Sequence, residues 1–297
     1  MRALSRGSRT WFVLGLLLAC VFYSEAQDQD RMPSKAERGA AQGRGKRIQQ
    51  ELKGPNNPEW AGVYFHGDGF HVGSILSLAP RSGFVFLCAC YMTARDFNHG
   101  NLDLTHGTIK LLFTYPPYDR KSNNGIAGEF IPIRWGERHY LIGTDELLDF
   151  ANSINAGIET ESYLRGSYHF FLKLGDEEKA VSGEPSLPKE YLRYLLPHPI
   201  TARISSVDTT HDNNDISDYD QTHDEHGYDL TTVTVGAGRT DGLLEGMTLY
   251  IKDPPLDDEA VVTRVSEHTA QVILHQHDYK NHRPAQGWTL STRLLAD

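Results

Sequence analysis

Apolar and polar positions alternate with a period of two along much of the chain after Trp60, the mark of strands that are half buried. The clearest case is Thr108–Tyr115, where Ile109, Leu111, Phe113 and Tyr115 face inward while Thr108, Lys110 and Thr114 face out. Strands are predicted from Gly62 and over Phe70–Ala79, Gly83–Met92, Gly107–Tyr115, Phe130–Trp135, His139–Ile142 and Tyr168–Leu174. Pro80-Arg-Ser-Gly83 reads as a turn, and Gly136-Glu137 folds the Phe130 and His139 runs into a hairpin. Phe84–Met92 is apolar on both faces, which places it centrally or under a helix. A second group of strands is expected over Ile200–Val207, Leu230–Val235, Met247–Lys252, Ala260–Val265, Ala270–His275 and Trp288–Leu294.

One segment switches to helical period. Thr144 is a good N-cap, Asp145 and Glu146 complement the helix dipole, and Gly157 supplies the stop. Leu147, Ala151 and Ile154 then share a face that must pack on something apolar. The fold class expected is mainly β: two small barrel-like modules, the first carrying this packed helix over 144–156. The first module spans 60–180, a Pro- and Gly-rich linker follows over 181–199, and the second module spans 200–297.

Composition changes the picture mainly at the N-terminus. Arg2, Arg6 and Arg9 precede an apolar run, Trp11–Tyr23, and Ser24-Glu-Ala26 has the small residues of a cleavage site. Residues 1–26 therefore read as an export signal too short to span a bilayer, leaving a mature chain with no transmembrane segment in the periplasm or outside the cell. In the alternative reading Leu17-Leu-Ala-Cys20 is a lipobox and Cys20 becomes a lipidated anchor; the apolar Val21-Phe-Tyr after it argues for simple cleavage. Residues 27–59 are polar and without obvious period, and are expected to be a disordered tether with some helix near Lys46–Leu52. The cations there read as solvation. A net charge of −10 over 297 residues argues against nucleic acid as the principal partner. Cys88 and Cys90 share one face of a strand at a spacing unsuited to a disulfide, and are expected to be small buried side chains.

Two stretches resemble known families. Gly62-Val-Tyr, the Gly67-Asp-Gly69 turn and Leu76-Ser-Leu-Ala-Pro-Arg-Ser-Gly-Phe-Val-Phe86 resemble the opening of lipocalin-like meander barrels, which implies a barrel or half-barrel. Val233–Ile251, with its Asp241-Gly242 turn and Gly246-Met247, resembles the small β-barrel modules of flagellar assembly T and rod-shape-determining C proteins. That resemblance implies a scaffold; Gly238, Gly242 and Gly246 would permit the corner and Met247, Leu249 and Ile251 would fill the interior. It maps no catalytic residue onto this chain.

Candidate chemistry is sparse, and no catalytic or cofactor-binding residue is assigned. The segment 208–228 holds seven acids and the histidines His211, His223 and His226 without a cation, a set able to ligate a divalent metal. A solvated loop is the simpler account, because the acids miss calcium-loop spacing. His275 and His277 at a strand end, with His282 nearby, are further candidate ligands, as is the lesser group of His66, Asp68 and His71. Glu129, Glu137 and Asp145 have structural explanations that compete with acid–base roles, and Trp135, Arg134 and Arg138 suggest either a recognition spot or a packed indole. The expectation is an exported, non-catalytic module of the envelope or cell exterior that binds another macromolecule. A small-molecule or lipid carrier whose cavity is lined by Phe84, Phe86, Ile109 and Phe113, and a metal-dependent protein using the histidines, are the alternatives.

Overall fold

The computed structural model describes residues 34–67, 72–90, 93–115, 126–158, 170–212, 229–256, 258–276 and 282–294. Residues 1–26, expected above to be an export signal and including Cys20, lie outside this set. The described chain is mainly β and forms two closed barrels. It divides into two units, one of residues 1–146 and 161–186, the other of 147–160 and 187–297.

Among the described residues the first unit opens on a helix, α1 (Lys35–Leu52), which occupies much of the expected disordered tether; residues 27–33 of that tether lie outside the described residues. Ser34 caps it through a full capping box, its hydroxyl accepting from the Glu37 N–H while the Glu37 carboxylate accepts from the Ser34 N–H. Only Ala41 and Ile48 are buried, so the apolar period that would announce a helix is nearly missing. Eight strands follow in simple meander order: β1 Gly62–Gly67, β2 Val72–Ala79, β3 Gly83–Cys90, β4 Thr93–Thr105, β5 Thr108–Phe113, β6 Glu129–Trp135, β7 Arg138–Gly143 and β8 Phe171–Lys173. Every neighbouring pair is antiparallel, and β8 pairs back onto β1 to close the sheet.

Seven of these strands follow the sequence pattern. Along β5, Ile109 and Leu111 are buried while Lys110 and Leu112 are exposed, as the alternation requires. The exception is β4, Thr93-Ala-Arg-Asp-Phe-Asn-His-Gly-Asn-Leu-Asp-Leu-Thr105, whose buried positions include Asn98, His99 and Gly100. Pairing to β3 and β5 holds it in the sheet, and Asn98 satisfies its amide on the Tyr115 carbonyl. The interior is aromatic: Tyr64, Phe84, Phe86, Phe130 and Phe171 join Leu76, Leu78, Ile109, Leu111 and Leu141 in one cluster. Cys88 is buried in it too.

The outer face of β3 is covered by α1, which lies across β2, β3 and β4. Contact is largely polar. Arg44 Nη1 lies within hydrogen-bond distance of the Ser82 and Gly100 carbonyls, at 2.8 and 2.7 Å. The Glu51 carboxylate accepts from the Arg81 and Ser82 N–H groups of the β2–β3 turn, each at 2.9 Å. Burial alone would raise its pKa, but the bonds donated by Ser82 and Arg81 outweigh that and hold it below the usual value.

The second unit takes the helix that the sequence assigns to the first. This helix, α2 (Leu147–Ala156), stops at Gly157 with φ +69° as expected. Its buried Asn152 donates to the Gly246 carbonyl and accepts from the Thr248 N–H, while Asn155 binds both Tyr194 and Leu196 backbone. Two asparagine amides thus fix it to the second barrel, information that an apolar stripe does not carry. The expected linker also resolves differently. Ala180–Ser186 is tied to the β6–β7 hairpin by Glu137, Arg134 and Trp135, whose indole donates to the Gly183 carbonyl at 2.9 Å. A short helix, α3 (Lys189–Leu192), then leads into the barrel.

The second barrel comprises β9 Thr201–Asp212, β10 Asp229–Val235, β11 Thr248–Asp253, β12 Glu259–Val265, β13 Ala270–Gln276 and β14 Thr289–Ser291, in the closed order β10-β13-β12-β11-β14-β9. Met247, Leu249 and Ile251 enter its core with Val233, Val235, Val272 and Leu274. Gly242 and Gly246 take φ of +95° and +86° as expected. Gly238 does not; its φ is −146°, and its smallness is needed because a Cβ would sit 2.5 Å from the Thr269 nitrogen.

Gly100 is the tightest point of the first barrel, since a Cβ there would lie 1.9 Å from the Leu112 carbonyl oxygen. Gly100→Ala is expected to lower stability by about 3 kcal/mol. Gly107→Ala meets nothing within 4 Å and carries only its φ of +84°, so it is expected to cost about 1 kcal/mol. Denaturant melts of the two variants side by side check the difference.

Candidate functional site

The densest polar constellation among the described residues gathers where β8 closes the first barrel. β8 is three residues long and makes two residue pairs with each neighbour, Tyr64–Lys173 and Phe65–Leu172 on one side, Tyr140–Leu172 and Leu141–Phe171 on the other. His139 on β7 lies beside this seam between two carboxylates. Its Nδ1 is 2.7 Å from Asp176 Oδ2 and its Nε2 is 2.8 Å from Glu59 Oε1. The His139 N–H also donates to Asp176 Oδ2, at 2.9 Å. A carboxylate only accepts, so both ring contacts are hydrogen bonds only when both ring nitrogens carry protons.

Further cations complete the cluster. Lys179 pairs with Asp176 Oδ1, Arg134 with Glu59 at 3.2 Å, and Lys173 donates to the Glu59 carbonyl while lying over the Tyr64 ring. Arg138 donates to the Lys179 and Glu177 carbonyls, folding the 176–180 turn onto β7. Tyr64 donates to the Trp60 carbonyl, and burial drives its pKa far up. Burial would raise the Asp176 pKa, but bonds from Lys179 and His139 prevail and leave it lowered; Glu59 is lowered first by the His139 bond. Each of these groups is bonded to another part of the barrel closure. The arrangement is a clasp.

The residues flagged in the sequence distribute as follows. Phe84, Phe86 and Ile109 are buried, with Phe113 packed against them; the Phe84 and Phe113 rings meet edge to face at 5.4 Å. They are members of the packed aromatic interior. His275 projects outward from β13, opposite Leu230 and Glu259, on the face away from Val272 and Leu274. His282 enters through its backbone, the carbonyl accepting from Gln276 Nε2 at 2.9 Å. His277, His223 and His226 lie outside the described residues, as do Asp68 and His71. The expected loop start at Asp208 is strand: β9 continues to Asp212, His211 occupies a position opposite Leu230, and Asp208 accepts from Ser206 and Thr234. Among the described residues no three or more His, Cys, Asp or Glu side chains gather as a metal site.

His66 Nδ1 is 3.3 Å from the Phe170 carbonyl. Glu129 pairs with Lys110 at 2.9 Å. Arg134, Trp135 and Arg138 all make hydrogen bonds within the first unit, Arg138 buried and Arg134 exposed. The His139 cluster was not legible beforehand, because its members stand 37 and 80 residues apart.

A second polar place lies against α1. His99 on β4 is 5% exposed, its Nδ1 3.1 Å from Thr114 Oγ1, with the Phe97 and Tyr115 rings on either side. Burial first, then Arg44 and Arg47, lower its pKa, against a smaller opposing pull from Glu37.

These shifts have opposite pH consequences. A lowered histidine pKa means the folded state binds fewer protons, so the His99 contribution is lost as pH falls below about 6.5. The lowered Asp176 and Glu51 carboxyls contribute above about pH 4 and lose that stability as pH falls further. Melting midpoints of the first unit are expected to fall in both windows. His99→Gln should flatten the upper window alone, and Asp176→Asn should shrink the lower one, leaving the part that Glu51 and Glu59 contribute. His139→Ala, which takes the ring bond from the buried Asp176 and from Glu59 but keeps the backbone N–H on Asp176, is expected to cost about 2 kcal/mol at neutral pH.

No family model matches this chain, and no curated protein or solved structure does.

Proposed function

We propose that the protein is an exported, non-catalytic module of the cell envelope or cell exterior that binds another macromolecule or serves within an assembly. The observation that carries this reading is how the two barrels are filled. Each has one contiguous core of its own side chains, aromatic in the first and aliphatic in the second. Side chains that often do chemistry, such as His139, Asp176 and Arg44, are bonded to other parts of the fold. A barrel whose described interior is occupied by its own side chains leaves its outer surface as the means of action. The export reading rests on Arg2, Arg6, Arg9, the Trp11–Tyr23 run and Ser24-Glu-Ala26. Among the described residues no helix is long and apolar enough to cross a membrane.

The test is made in the source cell with the chain tagged at its C-terminus. The expected result is a protein reachable by a membrane-impermeant label, beginning at Gln27, and migrating after crosslinking well above the 33.4 kDa of the uncleaved chain. A chain retained in the cytoplasm with Met1 intact, or one that stays monomeric under crosslinking, overturns the reading.

A further inference from the structure

The N-terminal helix carries a charge pattern that only its folded form displays. Lys35, Arg38, Gln42, Lys46, Gln49 and Lys53 follow one another at intervals of three, four, four, three and four residues. That is the spacing of a single ridge along an α-helix. All six are exposed. The opposite face holds the docking residues Ala41, Arg44, Ile48 and Glu51, together with Glu37. Both carboxylates of the helix are therefore turned away from the ridge, and its four cations stand in a row without an acid among them. Over 18 helical residues the row is roughly 27 Å long. It is a basic line on a chain whose net charge is −10.

We propose that this ridge is a docking surface for an anionic phospholipid bilayer. The inference rests on the envelope placement above and names the partner of one surface. Three observations favour a lipid plane over a protein or a nucleic acid. The ridge has no aromatic or aliphatic anchor, which a stable protein interface places at its centre. It is one straight row, suited to a plane of dense charge, while the acidic remainder of the chain repels a polyanion that would have to wrap it. It also begins 12 residues after the apolar Trp11–Tyr23 run, which brings this part of the chain to a membrane during export. Lacking Trp, Phe or Leu on the ridge, the helix rides on the headgroups rather than inserting. Each cation near an anionic surface gives roughly a five-fold gain in partitioning, so four give up to about a thousand-fold.

The experiment compares the mature chain beginning at Gln27, without Arg2, Arg6 and Arg9, sedimenting with phosphatidylcholine vesicles and with vesicles containing about one third phosphatidylglycerol. The ratio of the two partition coefficients isolates the electrostatic part from any apolar attraction. A ratio of about a hundred or more in low salt is expected, falling several-fold as salt is raised toward 0.5 M. Lys35→Gln/Arg38→Gln/Lys46→Gln/Lys53→Gln should bring it close to one. Glutamine keeps helix propensity, and an unchanged far-UV spectrum and melting midpoint verify that α1 remains docked. Single variants, each expected to cost about five-fold, carry the test should the quadruple variant misfold. Arg264→Gln and Lys189→Gln, exposed cations elsewhere, should leave the ratio unchanged. A wild-type ratio near one, a ratio insensitive to the ridge, or retention on soluble polyphosphate with no preference for anionic vesicles overturns the proposal. The labelling experiment above reads envelope placement independently, so the two readings fail separately.

Discussion

The first barrel depends on closure through β8, a strand too short to hold a seam by its own ladder. With two residue pairs on each side, Phe171–Lys173 provides little of the register that longer neighbours such as β3 and β4 share. The missing constraint is supplied from both ends of the seam. Inside, Phe171 packs against Phe130 edge to face at 5.8 Å, burying the strand's first side chain in the aromatic core. Outside, His139 joins Glu59, which precedes β1, to Asp176, which follows β8. One imidazole thus bridges the two segments whose relative position defines closure. Because Asp176 is almost fully buried, its charge is tolerable only with its partners in place, and the clasp therefore favours the closed geometry over any slipped one.

The architecture was legible in the sequence to the extent that it was written in local pattern. The alternation of β5, the Gly136 turn and the glycine corner ahead of Met247 each follow from side chains within a few residues of one another. What escaped was written in long-range bonds. β4 has polar residues at inward positions and becomes a strand through its neighbours. α1 has two buried apolar residues and no period to detect. The helix at Leu147–Ala156 was visible as an amphipathic stretch, but an apolar face does not name the surface it will meet; Asn152 and Asn155 do, and only once the Gly246 and Tyr194 backbones are in position. Candidate sites fared the same way: of the residues chosen for their chemical type, Phe84, Phe86 and Ile109 are core members and His275 lies outward, while the densest convergence of charge among the described residues joins positions that no spacing connects.

These misses share a physical cause that bears on how the molecule behaves. Both peripheral helices are oriented by side-chain bonds to backbone atoms, in α2 beside a buried apolar face of Leu147, Phe150 and Ala151, in α1 with only Ala41 and Ile48 buried. Burial of Ile48 and Ala41 contributes roughly 3–4 kcal/mol, and a helix of this length is marginal on its own in water. Arg44 and Glu51 make up the difference by satisfying carbonyls and N–H groups of the β2–β3 turn and of β4 that the sheet leaves over. Such bonds are directional, so they fix where the helix lies and which way it is rotated. They are also fewer and individually modest, about 1–3 kcal/mol each when charged, so α1 should open before the barrel beneath it. The same rotation that aims Arg44 and Glu51 inward is what turns Lys35, Arg38, Lys46 and Lys53 outward together. A helix docked by apolar contact could roll by a residue or two at little cost and scatter that row; one pinned by two charged side chains cannot.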